Sequence, residues 1–145
     1  MSQSIGIGVL CGVLLVLVAG GCETTGGANG SSEGLLGRAV SDYEAGRYET
    51  AAGAAEEVMQ SSSGPPREDA AYLAGLSAYR LGRIDQAERR LLTAAGSTRP
   101  QTAGKAEAML GIIRMDQNRP QEAADLFEKA SRKLTGSDGM RAAEH

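Results

Sequence analysis

Three phrases decide the fold: Tyr43-Glu44-Ala45-Gly46-Arg47-Tyr48-Glu49-Thr50-Ala51, Tyr79-Arg80-Leu81-Gly82-Arg83-Ile84-Asp85-Gln86-Ala87 and Met115-Asp116-Gln117-Asn118-Arg119-Pro120-Gln121-Glu122-Ala123. Gly46, Gly82 and Asn118 are spaced by 36 and 36, and so are Arg47, Arg83 and Arg119, and Ala51, Ala87 and Ala123. Upstream, Ala39, Gly75 and Gly111 keep the step; downstream, Val58, Ala94 and Ala130 keep it too. Columns that hold register over three copies mark an internal repeat. Gly and Asn accept left-handed backbone angles, so the column at 46, 82 and 118 ends a helix at the same point in each copy. Pro120 directly after the turn starts a new helix, where a missing N–H costs nothing. Each copy is therefore expected to be two helices around a tight turn. Small residues at 39, 75 and 111 in the first helix, and at 51, 87 and 123 in the second, allow the pair to approach closely.

Composition agrees. The chain of 145 residues carries 23 Ala and 20 Gly but only four Tyr, one Phe and no Trp. Six of its eleven Val and Ile residues lie in the first 18 positions, which leaves Val40, Val58, Ile84, Ile112 and Ile113 for the rest. A sheet needs β-branched and aromatic side chains on its faces, so a β or α/β body is excluded. With 15 basic and 18 acidic residues, no polyanion-binding surface and no nucleic-acid partner is indicated. The fold expected is all-α, a short α-solenoid of three helix-turn-helix repeats. Pro65-Pro66 and Pro100 separate the copies.

These residues resemble the tetratricopeptide repeat family: the small column at 39, 75 and 111, the Gly/Gly/Asn turn, and the Ala columns at 51/87/123 and 94/130. The family period is 34, so two extra residues per copy are expected in the inter-repeat loops, 61–66 and 96–102. The resemblance divides the body 34–135 into repeats at about 34–66, 67–102 and 103–135, followed by a tail or partial capping helix at 136–145. It also implies that the first helices line a concave groove for a partner protein or peptide. By position the groove residues are Val40, Tyr43, Tyr72, Leu76, Tyr79, Ile112 and Met115, with Leu36, Leu73, Ala108 and Met109 beside them and Glu44, Arg80 and Asp116 at the rim. For Val40, Leu76 and Ile112, helix packing competes with partner contact. Tyr43, Tyr72 and Tyr79 favour partner contact, because Tyr offers area, few rotors and a polar tip. The family's clamp for acidic C-terminal tails needs Lys, Asn and Arg on this face; only Lys105 is available, so such tails are not expected. Arg47, Arg83 and Arg119 form an edge read either as solvated turn residues paired with carboxylates or as a contact for anionic lipid or glycan.

The N-terminus has a different character. Met1 to Cys22 contains no charged side chain, and an apolar run from Ile5 to Ala19 ends in Gly20-Gly21-Cys22. An apolar segment followed by small residues reads as an export signal, and it is shorter than the ~20 residues of a comfortable membrane span. The small residues before Cys22 resemble a bacterial lipobox, which implies cleavage after residue 21 and diacylation of the Cys22 thiol, with palmitate as the kind of acyl chain. The n-region lacks Lys and Arg, which keeps open an uncleaved anchor. Residues 22–33 (CETTGGANGSSE) form the lipidated Cys and a flexible linker, about 18 Å in reach over the eleven residues after the Cys. Glu23 stands where the known inner-membrane retention signal has Asp, so an outer-membrane anchor facing the periplasm is expected.

Chemistry of other kinds is not expected. Cys11 leaves with the signal and Cys22 takes lipid, so the body holds no thiol for a disulfide, zinc site or nucleophile. His145 is the one histidine and the last residue. No phosphate-loop motif is present, and the carboxylate pairs Glu56-Glu57 and Glu68-Asp69 diverge on a helix. Neither catalytic nor metal residues nor a cofactor is expected. The last helix leaves Leu126 and Phe127 with little to cover them: the short tail, a partner or second copy, or further sequence would do so, hence an expected weak homo-oligomer or a required partner. The function expected is an interaction adaptor or scaffold in the cell envelope, serving assembly, secretion or pilus piloting, or cell-wall machinery. The alternative is a glycan- or peptidoglycan-associated structural protein.

Overall fold

The turn column governs the architecture directly. Gly46, Gly82 and Asn118 all take positive φ, at 77°, 72° and 58°. The N–H of Arg47, Arg83 and Arg119 returns to the carbonyls of Asp42, Ala78 and Arg114 at 2.8–2.9 Å, and the N–H of Gly46, Gly82 and Asn118 returns to Tyr43, Tyr79 and Met115. That pair of bonds satisfies carbonyls a helix end would otherwise orphan. The same three arginine carbonyls then accept from Ala51, Ala87 and Ala123 and open the next helix. The turn column and the arginine column after it thus end one helix and point the chain into another.

The computed structural model describes residues 31–142, with side chains through residue 136. Six helices follow in order: α1 (Ser32–Glu44), α2 (Tyr48–Ser61), α3 (Pro65–Arg80), α4 (Ile84–Ala95), α5 (Pro100–Asp116) and α6 (Pro120–Ala142). No strand occurs among the described residues. Ser31 caps α1, its Oγ accepting from Gly34 N at 3.1 Å. Proline occupies the first turn of α3 and α5, where its fixed φ suits helix entry. Helices pack in sequence, and α3 also touches α1 and α5, while α2, α4 and α6 make no close backbone approach to one another; α2 and α4 are bridged by long side chains alone. First helices thus form the inner layer of a solenoid-like repeat that curves toward them, and second helices form the outer one.

The interior closes on alanine. Ala39, Ala51, Ala55, Ala70, Ala71 and Ala87 are fully buried, and the largest fully buried side chains are Leu91, Ile113 and Val58. The apolar cluster runs without a break from Leu35 of α1 to Ile113 of α5. The close approach at the small column is tight: a Cβ on Gly75 would lie 2.7 Å from Leu91 Cγ, and one on Gly111 would lie 2.8 Å from Phe127 Cε1. A further column, 55/91/127, explains this. Ala55, Leu91 and Phe127 grow in size where residue 39 gives way to Gly75 and Gly111, so each knob matches its hole.

Several boundaries differ from those expected. Helix α1 begins at Ser32, inside the segment read as linker, because Ser31 caps it. Pro65, Pro66 and Pro100 lie within helices rather than between repeats, so the inter-repeat loops shrink to 62–64 and 96–99. The extra residues relative to a 34-residue period are absorbed partly by the first helices. Helix α6 does not stop before the Gly136-Ser137-Asp138-Gly139 stretch but continues to Ala142; Leu134 packs over Gly104, within 2.9 Å of where its Cβ would sit, and holds the helix a turn beyond Ala130. Isolated glycines weaken a helix by about 1 kcal/mol each without ending it. The expected export signal (1–21), Cys22, most of the linker and the end of the tail lie outside the described residues.

Candidate binding face

The inner layer presents one face of α1, α3 and α5. Each residue of the column 40/76/112 lies three residues before a helix's final tyrosine or methionine, so helical spacing puts 40 with 43, 76 with 79 and 112 with 115. Val40, Ile112 and Met115 are exposed at 42%, 38% and 52%. Tyr43, Tyr72, Leu76 and Tyr79 are half-buried, the three tyrosines resting on the core by their inner sides. All seven expected groove positions therefore lie on the same helices with part of their surface open. Leu73 does not belong with them: it is 7% exposed and joins the core, because it sits one residue round the helix from Tyr72. Leu36 and Met109 are half-buried against the core, and Ala108 is half-buried.

The tyrosines do more than line the face. Tyr43 packs on Tyr48 across the first turn, ring centroids 5.3 Å apart and tilted by 60°. Its hydroxyl accepts from Arg80 Nε at 3.3 Å. One repeat later, the Tyr79 hydroxyl donates to Asp116 Oδ2 at 2.6 Å. Both bonds join residues 37 apart and tie one first helix to the next. Two of the three hydroxyls are therefore engaged within the molecule, whereas the Tyr72 hydroxyl makes no hydrogen bond among the described residues. The bond to Asp116, with some burial, raises the Tyr79 pKa. Burial first and nearby Tyr43 second raise that of Tyr72. Both shifts keep Tyr72 and Tyr79 neutral at physiological pH.

The arginine edge is internally paired. Arg47 reaches Asp42 at 2.6 Å, Arg83 reaches Glu49 at 2.9 Å and Arg119 reaches Glu122 at 2.6 Å. Elsewhere charge joins successive repeats. Arg90 bonds Glu56 at 2.5 Å, and Arg99 bonds Asp69 with Thr102 sharing the same oxygen. Glu88 accepts from Arg114 at 2.5 Å and Gln117 at 2.6 Å. The signal for these pairs lies in offsets that recur, 34 for Glu49/Arg83 and Glu56/Arg90 and 37 for the tyrosine bonds; columns read at 36 alone pass over them. Lys105 is exposed and enters no hydrogen bond or ion pair among the described residues.

Among the described residues no group of three His, Cys, Asp or Glu could hold a metal ion, and no helix is long and apolar enough to cross a membrane. Leu126 is half-buried against the core, better covered than its sequence implies, while Phe127, with one side of its ring over Gly111, stays 39% exposed as expected. Comparison of the chain with family models, with curated proteins and with solved structures gives no match.

Proposed function

We propose that this chain is a tetratricopeptide-like adaptor of the bacterial cell envelope, held to a membrane by lipid on Cys22 and capturing a partner protein on the inner face of α1, α3 and α5. The observation that carries the reading is that face itself. Val40, Ile112 and Met115 remain exposed beside three half-buried tyrosines, whereas the outer helices expose Leu92 and Phe127 singly. Contact surfaces concentrate such side chains. The glycan alternative gains nothing from the arginine edge, where each guanidinium already faces a carboxylate. Glu23 after Cys22 supports the outer membrane as the site of anchoring.

The test uses the full chain in the cells that make it. A photoreactive residue at 72 or 112 is expected to yield a discrete cross-linked partner, whereas one at 92, on outer helix α4, is not. Cys22→Ala is expected to shift the chain from the membrane to the soluble fraction. Equal cross-linking from 92 and 112 would overturn the groove reading, and unchanged membrane association of the Cys22 variant would overturn the anchor.

A further inference from the structure

Each first helix ends on a charged residue, and the signs alternate: Glu44 closes α1, Arg80 closes α3 and Asp116 closes α5. All three are exposed and none enters an ion pair among the described residues. The arginines of the neighbouring turn column, by contrast, are each neutralised. Two of the three rim charges are nevertheless held in place by neutral groups, Arg80 by the Tyr43 hydroxyl and Asp116 by that of Tyr79. A charge positioned by a neutral hydroxyl keeps its field for another molecule. Acids at the last residue of α1 and α5 also oppose the helix dipole, which favours cations there. The arrangement therefore costs some helix stability.

Resting on the adaptor reading above, we infer that the face takes an extended segment of polyproline II type that carries basic, acidic and basic side chains at every third residue. Packed neighbouring helices lie roughly 8–10 Å apart. Three residues of polyproline II advance about 9 Å and return to the same side of the segment, so successive charges on the segment meet Glu44, Arg80 and Asp116 in turn. Aromatic surfaces suit this conformation, and half-buried Tyr43, Tyr72 and Tyr79 supply one on this face. The charge order reads the same in both directions, so the segment is accepted in either chain polarity.

The probe is a fluorescent peptide, Lys-Pro-Leu-Glu-Pro-Leu-Lys, against its inverse, Glu-Pro-Leu-Lys-Pro-Leu-Glu, titrated with the detergent-solubilised full chain and read by anisotropy. Three exposed pairs of modest strength should favour the first peptide by about five- to tenfold at low salt, with the preference fading toward about 1 M salt. Arg80→Glu should reduce the preference and improve binding of the peptide with Lys at its centre. Tyr72→Ala combined with Ile112→Ala should weaken both peptides alike. Equal binding of the two peptides, with that double variant still weakening both, overturns the charge order and leaves the groove reading standing. Binding indifferent to the double variant, or no binding of either peptide, overturns both.

Discussion

Gly53 and Gly75 show how much a single hydrogen-sized side chain can mean in a core made of alanine. Gly53 lies on the exposed side of α2, and a Cβ there would meet nothing within 4 Å. Gly75 lies in the middle of α3, where a Cβ would sit 2.7 Å from Leu91 Cγ and 3.2 Å from the Leu91 backbone nitrogen. Both residues are helical, so both lose conformational entropy that Ala would not. Gly53→Ala should therefore stabilise the protein by about 1 kcal/mol. At Gly75 the same gain is set against overpacking worth about 1–3 kcal/mol, and the backbone contact prevents Leu91 from simply swinging aside. Gly75→Ala should be net destabilising. Urea midpoints that rise for both variants would show that the two helices can part without cost. Asn118 is a third special position, the one turn residue that is not glycine yet keeps a φ of 58°; its short polar side chain tolerates that region.

The helices themselves were legible where backbone geometry restricts the residue type. A positive φ admits Gly or Asn, so the turns at 46, 82 and 118 declare themselves, and with them the ends of α1, α3 and α5. The small column at 75 and 111 was legible for the same reason, since close approach excludes a larger side chain. What joins one repeat to the next was not, because it depends on where long side chains reach after the helices have packed. The junction of α4, α5 and α6 is the clearest case. Arg114 bonds Glu88, Gln117 bonds both, and Arg114 and Arg119 meet Glu122. Burial alone would raise the Glu88 pKa, but bonds from Arg114 and Gln117, with the charges of Arg114 and Arg119, outweigh it and lower the value. A carboxylate with a lowered folded pKa stabilises the protein above its unfolded pKa, about 4.3, and that contribution fades as pH falls through the folded value. Glu88→Gln should accordingly lower stability at pH 7 and flatten its decline in acid. Parallel stability curves for the two proteins between neutral pH and about pH 3 would count against this role.

Stability in a repeat array is approximately a sum over helix pairs and the interfaces between neighbours, so the same position has different weight at the centre and at the end. The column 55/91/127 tests this within one chain. Leu91 is fully buried beside Gly75 of α3, on a helix that packs against both α3 and α5. Phe127 occupies the equivalent place on α6, but with no further repeat beyond it among the described residues, and it is 39% exposed despite its greater size. At position 131 the outer side of α6 carries exposed Ser, where α2 has buried Met59 and α4 has half-buried Ala95. The final helix thus recovers apolar area by placing a larger ring over Gly111 and turns a more polar surface outward. Removing Leu91 leaves a cavity enclosed on both sides. Leu91→Ala should cost about 3–5 kcal/mol, a large share of the 5–15 kcal/mol typical of a small domain. Phe127→Ala removes more atoms but opens onto water, so its cost should be about 2 kcal/mol, below the range for fully buried aromatics. Urea unfolding of both variants, read from helix content, decides the matter. A smaller loss for Leu91→Ala than for Phe127→Ala would mean that the terminal pair, rather than the central one, holds the array together.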